Sequence, residues 1–455
     1  MRKKKTDYVQ IAVLGFCILF YLFLFLLDGV QLSADSQSYI GFTYGREPFY
    51  PMFLACFRSL FGNDFYLMVV AFVQCILWAL TTGYLTCLFR KKFQLRNFSV
   101  GVVLAFQVAV VLLCRFAAAR QATYCNEICS EGLAIPLFSL FLAELILYVL
   151  DLKTKSLILT LVYAAVLIST RKQMYILIPI MGVVYFFLFL SKRISWKKLF
   201  LTWGVAVSAF LLAAGIDVLY NMAIRGQAMR HTTDSSAMVI TLLYGADSKD
   251  ADAFDDPEMA ALFQSIMQEA EENEYTYRFA EGNWLNRYTH YSDHYDLLAF
   301  GIVNPHFYQY LDETLLVAGA ERELAFDDIN RVFISTLLPV YWQRIIRITI
   351  DNMLVGLCNT ISKASPMLTW YNILFGVVYI GLTGYVCIRK RKEVFWVALI
   401  TLFSVLINVA AVGLMIFAQT RYMIYNMPFV YIAMYLMLRE IYLTWKSNKE
   451  SICEK

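Results

Sequence analysis

Asp35 stands about eight residues beyond an apolar run at 9–27, in a polar loop that opens at Asp28 and continues through Arg46, Glu47, Pro48, Tyr50 and Pro51. A carboxylate held near a membrane surface can take the proton from an acceptor hydroxyl delivered there. The same position also suits the N-cap of a short helix beginning at Ser36, and the loop alone does not choose between these readings. A second polar stretch runs from Arg115 and Arg120 through Cys125, Glu127, Cys129 and Ser130 to Glu131. Spaced four apart, Glu127 and Glu131 are expected on one helix face. There they could orient a sugar or bind a divalent cation, or simply stabilise a helix N-terminus. Cys125 and Cys129 are either paired or free at this spacing. Cations recur at Arg171-Lys172, between Thr170 and Gln173, and at Arg421-Tyr422, ahead of Asn426 and Pro428. Arg grips phosphate through paired donors; the plainer reading is snorkelling at an interface.

Something must hold these groups at a common surface, and composition says what. Of the 455 residues, 60% are hydrophobic and only 16% charged, where about 25% charged is ordinary for a soluble protein. The chain therefore reads as an all-α polytopic membrane protein. Apolar runs at about 9–27, 65–89, 98–116, 132–150, 157–170, 173–190, 199–219, 368–388, 394–418 and 424–443 suggest about ten spans. The first run is bulky and lacks a small-residue cleavage site, so it is expected to be a span and not a removable leader. Met52–Phe61 is amphipathic and ends at Gly62, as an interfacial helix would.

Charge sets the orientation. Basic clusters at Arg2–Lys5, Arg90–Lys92 with Arg96, Lys153–Lys155, Lys192–Lys198 and Arg389–Lys392, and a tail with Lys446, Lys449 and Lys455, all fall on one side of a ten-span layout. By the positive-inside rule both termini are cytoplasmic in a cell membrane, and 220–366 lies outside. That segment holds 21 acidic and 10 basic residues, a net of −11 in a chain whose total is +4. Such segregation is a topology signal and gives no reason to expect nucleic acid.

Three parts follow: a seven-helix module over 1–219 with its first outer loop at 28–62, a mostly helical extracytoplasmic segment over 220–366, and a three-helix module with a tail over 367–455. Within the middle part, Pro257, Met259, Leu262, Phe263, Ile266, Met267 and Ala270 mark an amphipathic helix within 257–281. Further helices are expected over 304–318 and 321–338. The stretch 340–362 carries Arg344, Arg347, Asp351 and Asn352, charges too costly for mid-membrane depth; it is expected as an interfacial helix. His290 and His294 with Asp293 and Asp296 lack a clear third metal ligand. Asp250, Asp252, Asp255, Asp256 and Glu258 have neither the glycine nor the glutamate of a calcium loop. Neither cluster is expected to be a metal site. No P-loop, dinucleotide turn or Gly-x-Ser-x-Gly elbow occurs.

Taken in order, these motifs make the chain resemble the GT-C superfamily of polytopic glycosyltransferases. The likeness is greatest to bacterial members related to protein O-mannosyltransferases and lipid A aminoarabinose transferase. It rests on Asp35 with Tyr39, the Arg46-x-Pro48-x-Tyr50-Pro51 run into a helix ending Leu60-Phe61-Gly62, Ser130-Glu131, Thr170-Arg171, and Arg421-Tyr422 with Pro428. It covers roughly 1–220 and, loosely, the last 40 residues. The resemblance implies inverting transfer from a polyprenyl-phosphate sugar to a glycan, lipid or protein acceptor at the outer face. Asp35 would be the base, and Arg171, Arg421 and Arg46 would hold the lipid phosphate with Lys172 and Tyr422 beside them. Many relatives carry two consecutive acids where this chain has Asp35-Ser36, so Glu47, Glu127 or Glu131 would take any second-acid or divalent-cation role. Two alternatives differ in class. An O-antigen polymerase or ligase would draw on Arg225, Arg230 and His231, and a lipid-linked glycan flippase or transporter would need a midplane polar path. The spans are mostly apolar, with Asp217 and Gln107 among the exceptions.

Overall fold

Each apolar run is helical in the computed structural model, which describes residues 7–116, 122–233 and 235–453. Arg2–Lys5, Arg120 and Lys455 lie outside the described residues. The structure is 81% helix, and among the described residues there is no strand; β-type pairing there is limited to an isolated bridge between Gln31 and Glu127. Among the described residues eight helices are long and apolar enough, by length and composition, to cross a membrane, as in a multi-pass membrane protein. They include α1 (Tyr8–Asp28), α3 (Phe49–Phe93), α4 (Asn97–Phe116) and α5 (Glu131–Asp151). Next come Lys172–Leu190, which is a 3-10 turn leading into α7 (Leu177–Leu190), and α8 (Trp196–Arg225). The last are α14 (Thr369–Ile388) and α15 (Lys392–Met415). The fifth apolar run becomes α6 (Thr154–Ile168), only 15 residues long, and the tenth begins α17 (Met427–Cys453), where Arg439 and Glu440 interrupt the apolar sequence.

The chain divides into two compact units. One comprises 1–229, 373–405 and 424–455; the other comprises 230–372 and 406–423. In the first, α5 is the most enclosed spanning helix. Polar side chains tie its neighbours together: the Trp78 indole donates to the Gly132 carbonyl at 2.8 Å, Tyr84 to Glu144 at 3.0 Å, and Gln107 to Thr86 at 2.9 Å. Tyr435 donates to Ser99 at 2.7 Å, joining α17 to α4. Hydrogen bonds of this kind satisfy groups that lipid cannot.

Gly62 breaks α3 as its sequence position suggested. Its φ of 73° and ψ of 173° are non-helical, a region open essentially to glycine alone. The segment before it carries a ladder of rings, Phe53 to Phe57 at 4.9 Å and Phe57 to Phe61 at 6.0 Å, and exposes Met52, Leu60 and Phe61.

The second unit is built on α9 (Ser236–Gly245), α10 (Pro257–Glu272), α11 (Trp284–Asp296), α12 (Asn304–Gln309), α13 (Gly319–Ile361) and α16 (Thr420–Met423). In α10, capped by Asp256 with Pro257 at its first turn, Met259, Leu262, Phe263, Ile266, Met267 and Ala270 are all buried. The helix ends at Glu272, inside the expected window of 257–281. Expected helices over 321–338 and 340–362 are one 43-residue helix that passes through Pro339. Proline removes one hydrogen bond there, but Phe333, Leu337, Tyr341, Ile345 and Ile348 lie on one buried face that runs through it. The segment 304–318 is α12 followed by a π-helical turn, Tyr310–Thr314, and a reversal at Leu316. Two of the charged residues of 340–362 are met internally: Arg287 grips Asp351 with two bonds of 2.7 and 2.8 Å, and Arg344 reaches Asp247 at 3.1 Å.

Candidate functional site

The first loop folds directly onto the segment 122–131. Gly29, at φ 60°, ends α1, and Gln31 then exchanges backbone hydrogen bonds with Asn126 (3.0 Å) and Ile128 (2.9 Å). The Asn126 amide donates to the Leu24 and Gly29 carbonyls, both at 3.0 Å, satisfying acceptors that a helix end leaves open. The Asp28 carboxylate pairs with Arg115 and accepts the Thr123 backbone N–H at 3.2 Å. Gln74, on α3, donates to the Cys125 and Glu127 carbonyls and accepts from the Tyr50 hydroxyl at 2.9 Å. Cys125 and Cys129 are both buried and form no disulfide with each other.

On this platform sits α2 (Ser36–Ile40). Asp35 occupies its N-cap position, yet its side chain makes no capping bond. Ser36, the first helical residue, accepts from the Ser33 N–H at 2.8 Å and donates to the Ile128 carbonyl at 2.7 Å. The Asp35 carboxylate instead accepts from Arg46 at 2.7 Å, and each side chain keeps just over a quarter of its surface exposed. Arg46 also donates to Ser38 at 2.7 Å and to the Tyr39 hydroxyl at 3.2 Å, and its guanidinium lies 4.5 Å from the Tyr39 ring centre. Burial opposes the charge on Arg46, but Tyr39, Asp35 and Glu47 outweigh it and hold the group above its ordinary pKa.

Behind Arg46 the network continues into the bundle. The Tyr39 hydroxyl donates to Ser130 Oγ at 2.9 Å, Arg171 donates to the same oxygen at 3.0 Å, and Arg171 pairs with Glu131 at 2.7 Å. Burial pushes the Tyr39 phenol above its usual range, so it stays a donor. The Arg171–Glu131 pair is almost fully enclosed, with side-chain exposures of 10% and 1%. The Phe49 backbone N–H donates to the Ser169 carbonyl at 2.8 Å, anchoring the start of α3 to the Arg171 turn.

Asp35, Arg46, Glu131 and Arg171 thus belong to one connected polar chain. Glu47 is buried and acts on the charges of Tyr39 and Arg46. Lys172 opens the 3-10 turn Lys172–Ile176, half-buried. Glu127 and Glu131 do not share a helix face: α5 begins only at Glu131, and Glu127 lies in the bridge to Gln31. Cross-chain pairing has displaced the local helical option. Arg421 and Tyr422 belong to the second unit, in α16, with the guanidinium 5.5 Å from the Tyr422 ring centre and the Tyr422 carbonyl accepting from Asn408 at 2.9 Å.

Local sequence does not tie Arg225 or Arg58 to the first loop. Arg225, at the end of α8, donates to the Phe42 carbonyl at 2.7 Å and stacks 4.0 Å from the Tyr44 ring centre. Arg58 lies 4.9 Å over Phe42. Their only sequence signal is a cation following, or interrupting, an apolar helix. Arg230 and buried His231 fall in the second unit. Among the described residues no group of three or more His, Cys, Asp or Glu is gathered to hold a metal; His290 and His294 instead face each other at 4.3 Å, with His290 bonded to Tyr244 at 2.9 Å. Compared with family models, curated proteins and solved structures, the chain matches none.

Proposed function

We propose that this protein is a membrane glycosyltransferase that moves a sugar from a polyprenyl-phosphate donor to an acceptor at the outer face, with inversion and with Asp35 as general base. The observation that carries this reading is the Asp35–Arg46 pair, a part-exposed carboxylate aimed by a guanidinium and backed by a buried chain through Tyr39 and Ser130 to Arg171. In the proposed topology α6 and α17 complete ten spans, both termini are cytoplasmic, and 220–366 lies outside, so that the first loop meets the outer leaflet.

The acceptor hydroxyl oxygen attacks the anomeric carbon of the sugar. Asp35 accepts its proton, and the bond from that carbon to the phosphate oxygen breaks, the electron pair leaving with polyprenyl phosphate. Cations near the leaving group offset its charge in the transition state. Arg46 and Lys172 serve that purpose. Because Arg171 is balanced by Glu131, its part is to position Ser130 and Tyr39 beneath Arg46.

The test is glycan analysis by mass spectrometry in a deletion strain of the source cell. Loss of one sugar from surface glycan is expected, with restoration by wild type but not by Asp35→Asn expressed at the same level. Full restoration by Asp35→Asn removes Asp35 from the mechanism.

A further inference from the structure

At the far end of α3 from Asp35, about 45 Å along the helix from Gly62, the first unit carries a second polar concavity. Two adjoining hollows, about 300 Å³ and 450 Å³, share Phe93, Gln94, Arg391 and Glu440. They lie among the end of α3, the turn between α14 and α15, and the charged part of α17. Five cations line them, Lys92, Lys390, Arg391, Lys392 and Arg439, against two acids, Glu393 and Glu440.

The cations are unequally engaged. Lys92 is held by Asp151 at 2.5 Å. Glu440 is shared between Arg391 at 3.5 Å and Arg439 at 3.6 Å, both longer than a charge-assisted hydrogen bond of about 2.7–2.9 Å. Lys390 and Lys392 are exposed and have no carboxylate within 4.0 Å among the described residues. One turn further along α17, Tyr442 and Trp445 stand 59% and 57% exposed, with Leu443 between them at the rim.

We propose that this hollow binds the phosphate headgroup of an anionic membrane lipid. The excess of cations selects for phosphate, and the volume suits a headgroup. Exposed Tyr and Trp beside it are the side chains that favour the membrane–water interface, which is where a lipid phosphate lies and a free one does not. Basic hollows between membrane helices on the side of the Lys/Arg-rich loops hold diphosphatidylglycerol-type headgroups in this manner. The inference is independent of sugar transfer.

The experiment is native mass spectrometry of the full chain in neutral detergent, titrated with cardiolipin, phosphatidylcholine or inorganic pyrophosphate. Cardiolipin is expected to bind at least tenfold more tightly than phosphatidylcholine. Neutralising both free lysines, Lys390→Gln with Lys392→Gln, should weaken cardiolipin about 25-fold, roughly fivefold per cation. Glu440→Gln, which releases Arg391 and Arg439, should tighten it about fivefold, and that arm decides the matter if the double variant does not fold. Unchanged cardiolipin affinity in the Lys390/Lys392 double variant, or no tightening in Glu440→Gln, overturns the proposal. Equal binding of pyrophosphate overturns the lipid source and assigns the hollow to a soluble phosphate.

Discussion

Replacing Arg171 by Ala strands the Glu131 carboxylate in the bundle. The two side chains meet at 2.7 Å and are exposed by only 10% and 1%, so solvent cannot take over when one is removed. Breaking such a buried pair costs about 3–5 kcal/mol. Ser130 loses one of its donors as well, and a neutral hydrogen bond adds about 1 kcal/mol. Glu131→Gln strands the guanidinium instead and should cost a similar amount. The double variant Glu131→Gln with Arg171→Met removes both charges and strands neither, so its loss should fall below that of either single. Thermal unfolding of the purified protein, followed by size-exclusion recovery after heating, gives the ranking: wild type, double variant, then the two singles. Should Arg171→Ala survive heating as well as wild type, or should the double variant lose as much as the singles together, the pair is not coupled and the buried chain behind Asp35 has been misread.

The other expectations are briefer. Asp35→Asn should lower transfer about 10²–10⁴-fold without lowering the unfolding temperature, since the carboxylate is part-exposed; parallel transfer and unfolding assays check it. Gly62→Ala places a side chain at φ 73° and should destabilise by about 1–3 kcal/mol, read as an earlier unfolding midpoint. Gly132→Ala would bring a Cβ to 2.5 Å from the Gln74 amide, and the bonds Gln74 makes to the second loop should be lost, seen as faster proteolysis of that loop. Burial, then the charge of His294, lowers the His290 pKa from 6.5. The unfolded chain then binds more protons just below that value, so stability should fall as pH drops below about 6.5; in His290→Gln that fall should flatten.

The residue pattern alone made the helices legible. Runs such as 9–27 and 132–150 are almost wholly apolar, with Glu144 their single charge, and the 3.6-residue spacing of Leu262, Phe263, Ile266 and Met267 defined the buried face of α10. Gly62 could be identified as a break because its neighbours are bulky and it alone tolerates the required backbone. Asp35 and Arg46 were visible as chemistry in a loop, but not as a pair, because eleven residues of irregular chain give no register.

What only the tertiary structure decided has one physical cause: partners distant in sequence outbid local preference. Glu127 left the helical spacing it shares with Glu131 because Gln31, almost a hundred residues earlier, offers its segment backbone hydrogen bonds. Proline at 339 should end a helix by local rules, yet a continuous buried face carries α13 through it. Asp351 looked too costly for an apolar environment until Arg287, 64 residues away, supplied two donors. Local sequence fixed where helices form and which way charge is segregated; which carboxylate meets which guanidinium was settled by packing, since an enclosed charge persists only where the fold brings it a counterpart.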